Sequence, residues 1–247
     1  MIGVASVFTP AQNRRKGYAG AMMRLLGERM PTLTSGRGFS VLYSDAGPTF
    51  YAKNGGWKSF DAEELAIPST IIFSETASVE MLDLEIAKEC INEDVRLLKE
   101  EFSTLQDPST VIQMIPQYIE LEWAIARDTH AARRLGEQEL IPVGARYKSE
   151  EGWGYILWFR QIKYKRLTVL RLREPRSVSG LKGLLQAAVE IAKKVNFEKI
   201  TIWSPSKELE KATGIQKVVR EGAIPGMLWV GEEQDVHWRT IEKLGWC

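Results

Sequence analysis

Strand-like and helix-like segments follow one another in the same order at the two ends of this 247-residue chain, and that order leaves few folds open. At the N-terminal end IGVASVF is β-branched and aromatic and stops at Thr9 and Pro10, the pattern of a buried strand. Met22, Met23, Leu25, Leu26 and Met30 then recur at helical spacing from Ala19 to Met30, with Pro31 as the expected end. FSVLYSD reads as a second strand. GPTFYAKNGG reads as a short helix, with Pro48 in its first turn and Gly55 and Gly56 at its stop, and WKSF as a third strand. Strand, helix, strand, helix, strand demands crossover connections and a partly parallel sheet. The C-terminal end runs LTVLRL, GLKGLLQAAVEIAKKV, KITIWSP, KELEKATG and GMLWVG, the same order again. Shared order with little shared identity points to internal duplication; the competing reading is that any α/β chain alternates such elements.

Between the two ends the pattern turns helical from Glu75 to Glu101, with Val79, Leu82, Ile86, Ile91, Val95, Leu97 and Leu98 on a broad apolar face. A second helix is expected from Gln117 to Leu135, followed by strands at PVGARY and WGYILWF. The expected organisation is a first half over 1–60, a helical linker region over 61–115 and a second α/β domain over 116–247. A chain with 44% hydrophobic and 26% charged residues has the composition of a folded globular protein. Its 33 basic and 32 acidic side chains nearly cancel, so no global field recruits nucleic acid or an anionic membrane, and any basic site is local. Cys90 and Cys247 are too few and too far apart for a disulfide framework or a metal cluster, which fits a reducing, cytoplasmic setting. Zinc spacing, a nucleophile elbow and a P-loop are all missing from the sequence.

The local basic site is RRKGYAG, placed where the first strand gives way to the first helix. A helix start leaves backbone N–H groups unpaired and carries the positive end of the dipole. Gly17 and Gly20 would let the backbone bend and approach a ligand, Ala19 adds little bulk, and Arg14, Arg15 and Lys16 supply charge. The combination suits a phosphate or pyrophosphate. At the matching point of the second half the chain reads RLREPRSVSGLKG, without closely spaced glycines, so only the first junction looks built for an anion.

GVASVFTP followed by Arg14-x-x-Gly17-x-Ala19 resembles motif A of the GNAT superfamily of N-acetyltransferases, Gln/Arg-x-x-Gly-x-Gly/Ala. VLYSDAGPTFYAKNGGWK is similar to the next strand and helix of that fold. SVFTP, LYSD.GP.FY and the terminal GWC are similar to fungal lysine N-acetyltransferases. The resemblance implies an α/β (α+β) fold: a GNAT-like mixed sheet flanked by helices, shortened at its N-terminus, with a second, degenerate GNAT-like half. It implies acetyl-CoA as cosubstrate and a small primary amine, lysine among them, as acceptor, with direct transfer of the acyl group. Val7, Phe8 and Thr9 would then offer backbone groups to the pantetheine arm. Arg14, Arg15, Lys16, Gly17, Tyr18 and Ala19 would hold the pyrophosphate. Tyr51 matches the tyrosine that protonates the departing thiolate, a role suited to a phenol that stays protonated at neutral pH. Ser44 and Asp45 end the second strand where ligand contacts are expected; Asp45 is also a candidate helix cap.

Several readings stay open. GNAT domains normally place about three strands and two helices before motif A, whereas this sequence begins at that strand. The strand edge that this leaves would need covering by the C-terminal half or by another subunit, as in a homodimer. The alternatives to acyl transfer are a shortened homologue recruited to a CoA-independent biosynthetic reaction and a non-catalytic binding protein. Glu120, Glu122, Asp128, His130 and His237 are the available proton acceptors, and none stands out from an ordinary surface or packing role. Trp153, Tyr155, Trp158, Phe159, Trp203 and Trp229 could line an apolar pocket, with core packing as the simpler explanation.

Overall fold

A computed structural model describes residues 1–106, 110–136, 141–150, 152–232 and 235–245, so Cys247 and the end of the GWC motif lie outside the described residues. The first stretch of chain forms β1 (Ile2–Val4), α1 (Tyr18–Leu33), β2 (Gly38–Ser44), α2 (Phe50–Gly55), β3 (Lys58–Ser59) and β4 (Glu63–Pro68). Then come β5 (Glu80–Leu82), α3 (Leu84–Ser103), β6 (Thr110–Ile112), α4 (Tyr118–Arg134), β7 (Gly144–Ser149) and β8 (Gly152–Gln161). The remainder is β9 (Arg166–Arg173), α5 (Val178–Lys194), β10 (Lys199–Trp203), α6 (Lys207–Thr213), β11 (Val218–Val219), β12 (Ile224–Val230) and β13 (Val236–Trp238).

Two mixed sheets carry the fold. One has the order β1-β2-β12-β3; the other runs β11-β4-β10-β9-β8-β7-β5, and β13 pairs separately with β6. β1 lies parallel to β2, with Ile2 opposite Ser40 and Val4 opposite Leu42, and β12 runs antiparallel to β2 along its whole length. In the second sheet β9 lies parallel to β10, and β4 runs antiparallel to both β10 and β11. The four-strand orders β1-β2-β12-β3 and β9-β10-β4-β11 are therefore the same, and each is completed by a strand from the other end of the chain. β4 leaves the first half to enter the second sheet, and β12 returns the exchange.

Several elements differ from the expectation. The first strand stops at Val4 because Ser6 takes a φ of +55° and turns the chain out of the sheet. α1 continues past Pro31 to Leu33, since the proline falls in the last turn and Thr34 closes the helix with both its N–H and its hydroxyl on the Met30 carbonyl. The long central helix begins only at Leu84. Asp83 caps it by accepting from the Ile86 N–H at 2.9 Å, and residues 80–82 pair with β7 instead. Gly20 lies inside α1 facing α2, where a Cβ would sit 2.6 Å from the Asn54 amide oxygen, so its smallness serves helix packing and not ligand approach. Gly27, further along the same helix, likewise leaves room for the Gly55 carbonyl.

β8 shows the period-2 logic of a sheet covered on both faces. Ile156 and Trp158 pack under α5, whereas Tyr155, Leu157 and Phe159 pack against α3 and α4. These aromatic residues are core, as is Trp203. Cys90 lies in the α3 face of the same core, and burial raises its pKa above that of an ordinary thiol.

Beneath α3 sits a buried charge network. Asp94, fully buried, accepts from Arg171 Nε (2.7 Å) and Nη2 (3.0 Å), from Arg173 Nη1 (2.7 Å) and from the Tyr155 hydroxyl (2.7 Å). Burial alone would raise its pKa; the Arg171 bonds and charge, with Tyr155 and Arg173, outweigh that and hold it below 3.8. Because the folded pKa lies below the unfolded one, its stabilisation is complete above about pH 4 and is lost as the pH falls further. Asp94→Ala removes the carboxylate shared by two guanidinium groups, leaving Arg171 to Glu242 and Arg173 to Glu101, and is expected to cost about 3 kcal/mol in urea unfolding at pH 7. The same substitution should flatten the acid side of the stability profile.

Candidate functional site at the parting of two strands

The pairing of β1 with β2 ends at Val4 and Leu42, but β2 continues to Ser44 because β12 holds its other edge. With Ser6 turning β1 away, the two strands part and leave a cleft of about 610 Å³. Ala5, Ser6 and Val7 form one wall and Tyr43, Asp45 and Tyr51 another, while Trp123 and Arg127 reach in from α4.

The basic turn adjoins this opening. Val7 packs on the core formed by Met23 and Trp57, Phe8 stands 71% exposed, and the Arg14 guanidinium lies 5.7 Å from the Phe8 ring. Arg14 Nε also donates to the Thr9 carbonyl at 3.1 Å, tying the turn to the end of the strand. Arg15 (φ +61°) and Gly17 (φ +82°) bend the backbone so that α1 starts at Tyr18. The first helical bond runs from Ala21 to the Gly17 carbonyl, which directs the N–H groups of Tyr18, Ala19 and Gly20 out of the helix end. Arg14, Arg15, Lys16, Gly17 and Tyr18 are all exposed. A Cβ at Gly17 would meet nothing within 4 Å, so the space over the turn is open to a ligand.

The remaining expected residues have varied surroundings. Tyr51 is half-buried, edge-to-face with Phe50, and burial followed by the Asp45 charge raises its pKa above 10. Ser44 is buried, and its hydroxyl donates to the Gly47 carbonyl at 2.7 Å and accepts from the Ala46 N–H, so it shapes the turn after β2. Asp45 is not the cap of α2, whose N-cap position is Thr49; it accepts from the Ala223 N–H at 2.8 Å, fastening the turn to the loop before β12.

A second, more apolar cleft of about 370 Å³ continues from the first, sharing Val4, Tyr43, Trp123 and Arg127. Its walls include Val41, Met114, Ile119 and Leu244. Glu120 lines it, with its carboxylate accepting from the Gln117 N–H at 3.0 Å and its pKa raised by burial. The other proton acceptors lie elsewhere: Asp128 is buried against Arg160 Nε at 2.9 Å, and Glu122, His130 and His237 are exposed. Arg127, 4.3 Å above the Trp123 ring, was not anticipated; its spacing of four from Trp123 is the signal that places both on one face of α4.

In the second sheet β9 and β10 part in the same way after Thr168 and Thr201, but this parting is filled. Leu244 donates its N–H to the Leu170 carbonyl (2.9 Å), the Ser204 hydroxyl donates to the Ile241 carbonyl (3.1 Å), and Glu242 accepts from the Leu172 N–H and from Arg171. A residual space of about 40 Å³ remains. At the nearby helix start, Ser177 accepts from the Gly180 N–H and so caps α5 from within the chain.

A family model for the LYC1 GNAT-like C-terminal domain matches residues 65–247. Among solved structures, a GCN5-related N-acetyltransferase from Anabaena variabilis is similar with a TM-score of 0.52 at 14% identity, over 91% of this chain and 54% of its own. A conserved protein of unknown function and probable N-acyltransferase from Enterococcus faecalis has a TM-score of 0.51 at 14% identity, over 92% and 54%. This chain thus spans about half the length of both, and the likeness is one of fold. No curated protein matches it.

Lys243 is the group in this region whose chemistry the fold changes most. It is 4% exposed, with Nζ 4.6 Å from the centre of the Trp203 ring, over which Arg220 also lies at 3.5 Å. Burial, then Arg127, Arg166 and Arg220, against a weaker pull from Asp45, lower its pKa to about 6. The unfolded value near 10.4 is higher, so between about pH 6 and pH 10 the native state binds fewer protons than the unfolded one, and stability rises with pH. Lys243→Met is expected to remove that slope and to raise stability at pH 7 by a few kcal/mol, read by urea unfolding across the pH range.

Proposed function

Because the chain belongs to the GNAT family of LYC1-like C-terminal domains, we propose that it is an acyl-CoA-dependent N-acyltransferase that acetylates lysine or another small primary amine by direct transfer. The observation that carries this reading is the open parting of β1 and β2 beside a helix start flanked by three exposed cations. Open space over Gly17 and outward N–H groups at Tyr18, Ala19 and Gly20 fit a pyrophosphate, for which charge-assisted bonds from Arg14, Arg15 and Lys16 add affinity. Acetyl-CoA supplies the acyl group as a thioester. Val7 lines the cleft, Phe8 and Thr9 join it to the cation-rich turn and offer backbone groups to the pantetheine arm, and Ser44 holds the turn that carries Asp45.

Tyr51 and Glu120 divide the proton work. Their environments suit opposite tasks: Tyr51, pushed above pH 10, keeps a proton to give to the leaving thiolate, and Glu120 in the continuing cleft accepts one from the amine. Arg127, lining both clefts, orients the acceptor between them. Positioning of the two reactants supplies much of the remaining rate.

Calorimetric titration with acetyl-CoA tests the binding step: the chain should bind it saturably, and Arg14→Ala with Gly17→Glu should weaken binding by about tenfold or more. Absence of binding in the unmodified chain would sink the reading. For turnover, Tyr51→Phe should lower kcat on the order of 10²-fold with the KM for acetyl-CoA unchanged. The kcat profile should show no alkaline fall from Tyr51 below about pH 10.

A further inference from the structure

The segment Ile241–Gly245 faces both halves of the molecule. Its Glu242 side is anchored in the parting of β9 and β10 through Arg171, the Leu172 N–H and the backbone bonds at Ile241 and Leu244. Lys243, Leu244 and Gly245 line the apolar cleft that continues from Tyr51. What fills one parting is therefore a wall of the space leading from the other. Resting on the acyltransferase reading, we propose that this C-terminal strap sets which amine is accepted: an aliphatic primary amine whose chain lies in the apolar cleft against Leu244, with its length limited by Leu244 and Gly245.

Three observations carry the proposal. The cleft walls are chiefly apolar, aliphatic side chains with the Tyr43 and Trp123 rings, and its charged groups are Glu120, Arg127 and Lys243, a composition that suits a hydrocarbon chain with a charged end. Glu120 supplies a carboxylate for that charged end. Leu244 is buried and doubly held, by its N–H on the Leu170 carbonyl and by packing in the core formed with Leu121 and Leu157, so the wall it presents is rigid. Next to it, a Cβ at Gly245 would come within 3.3–3.5 Å of the Met114 side chain. Enlarging residue 245 narrows the cleft, and trimming residue 244 deepens it.

The probe is a series of linear primary amines from propylamine to octylamine, titrated directly into the full chain without an acyl donor. The unmodified chain should prefer one length; Leu244→Ala should shift the preference toward longer amines, and Gly245→Ala toward shorter ones, each changing the ratio of affinities about tenfold. Glu242→Gln, which keeps an acceptor for the Leu172 N–H, should retain the original preference. Lengths bound alike by all four proteins, or no amine bound by the unmodified chain, would overturn the proposal. Turnover of the same amines with acetyl-CoA is measured in parallel. Length-selective binding without turnover leaves the strap's role standing and removes the transferase reading; turnover with unaltered length preference in both variants does the reverse.

Discussion

Everything in the site depends on β12 lying between β2 and β3. Its antiparallel ladder with β2, from Ile224 opposite Ser44 to Val230 opposite Gly38, keeps β2 straight after β1 has turned away at Ser6. Without that ladder the edge of β2 would be free to follow β1, and no cleft would open between them. The same strand brings the loop at Arg220–Ala223 against the turn after β2, where Asp45 takes the Ala223 N–H. In exchange, β4 fills the equivalent place between β10 and β11. The halves are bound by main-chain hydrogen bonds running both ways, a linkage far stronger than side-chain contact between two independent domains.

This arrangement gives the two partings different fates. Both arise from one physical cause: a parallel strand pair that pairs for only three residues and then diverges, with an antiparallel neighbour holding one member in line. The first parting opens beside exposed cations and uncapped N–H groups. The second is closed by Ile241–Leu244, and its helix start is satisfied by Ser177. The same strand geometry thus leaves one parting open, and the element that closes the other is also a wall of the cleft that continues from the first. Buried charges mark the seam, from the Asp94 network on the α3 side to Lys243 and Arg220 against Trp203.

Local features were legible in the sequence because their causes are local. Most strands and helices of the two ends followed from hydrophobic periodicity, and the expectation of an anion at the first turn from three cations and a glycine at a helix start. Gly20 was misassigned because a glycine chosen for close helix packing against Asn54 looks the same in sequence as one chosen for a ligand. The strand exchange was not legible, since β4 lies where the sequence reads as a helical linker region over 61–115, and nothing in GMLWVG, which reads as a strand, says which sheet it joins. Glu120 was indistinguishable from Glu122 until the fold placed one in a cleft and the other in solvent. Lys243, between a glutamate and a leucine near the C-terminus, carries no sign that it is buried.

The most direct test of this account is hydrogen–deuterium exchange of the chain with and without acetyl-CoA. Slowed exchange confined to residues 5–20 and 44–51 is the predicted result, because the first parting is open beside an uncapped helix start, whereas the second parting is filled and Ser177 caps its helix. Protection at residues 174–182 instead, or at both junctions equally, would contradict the assignment of one site to the first half.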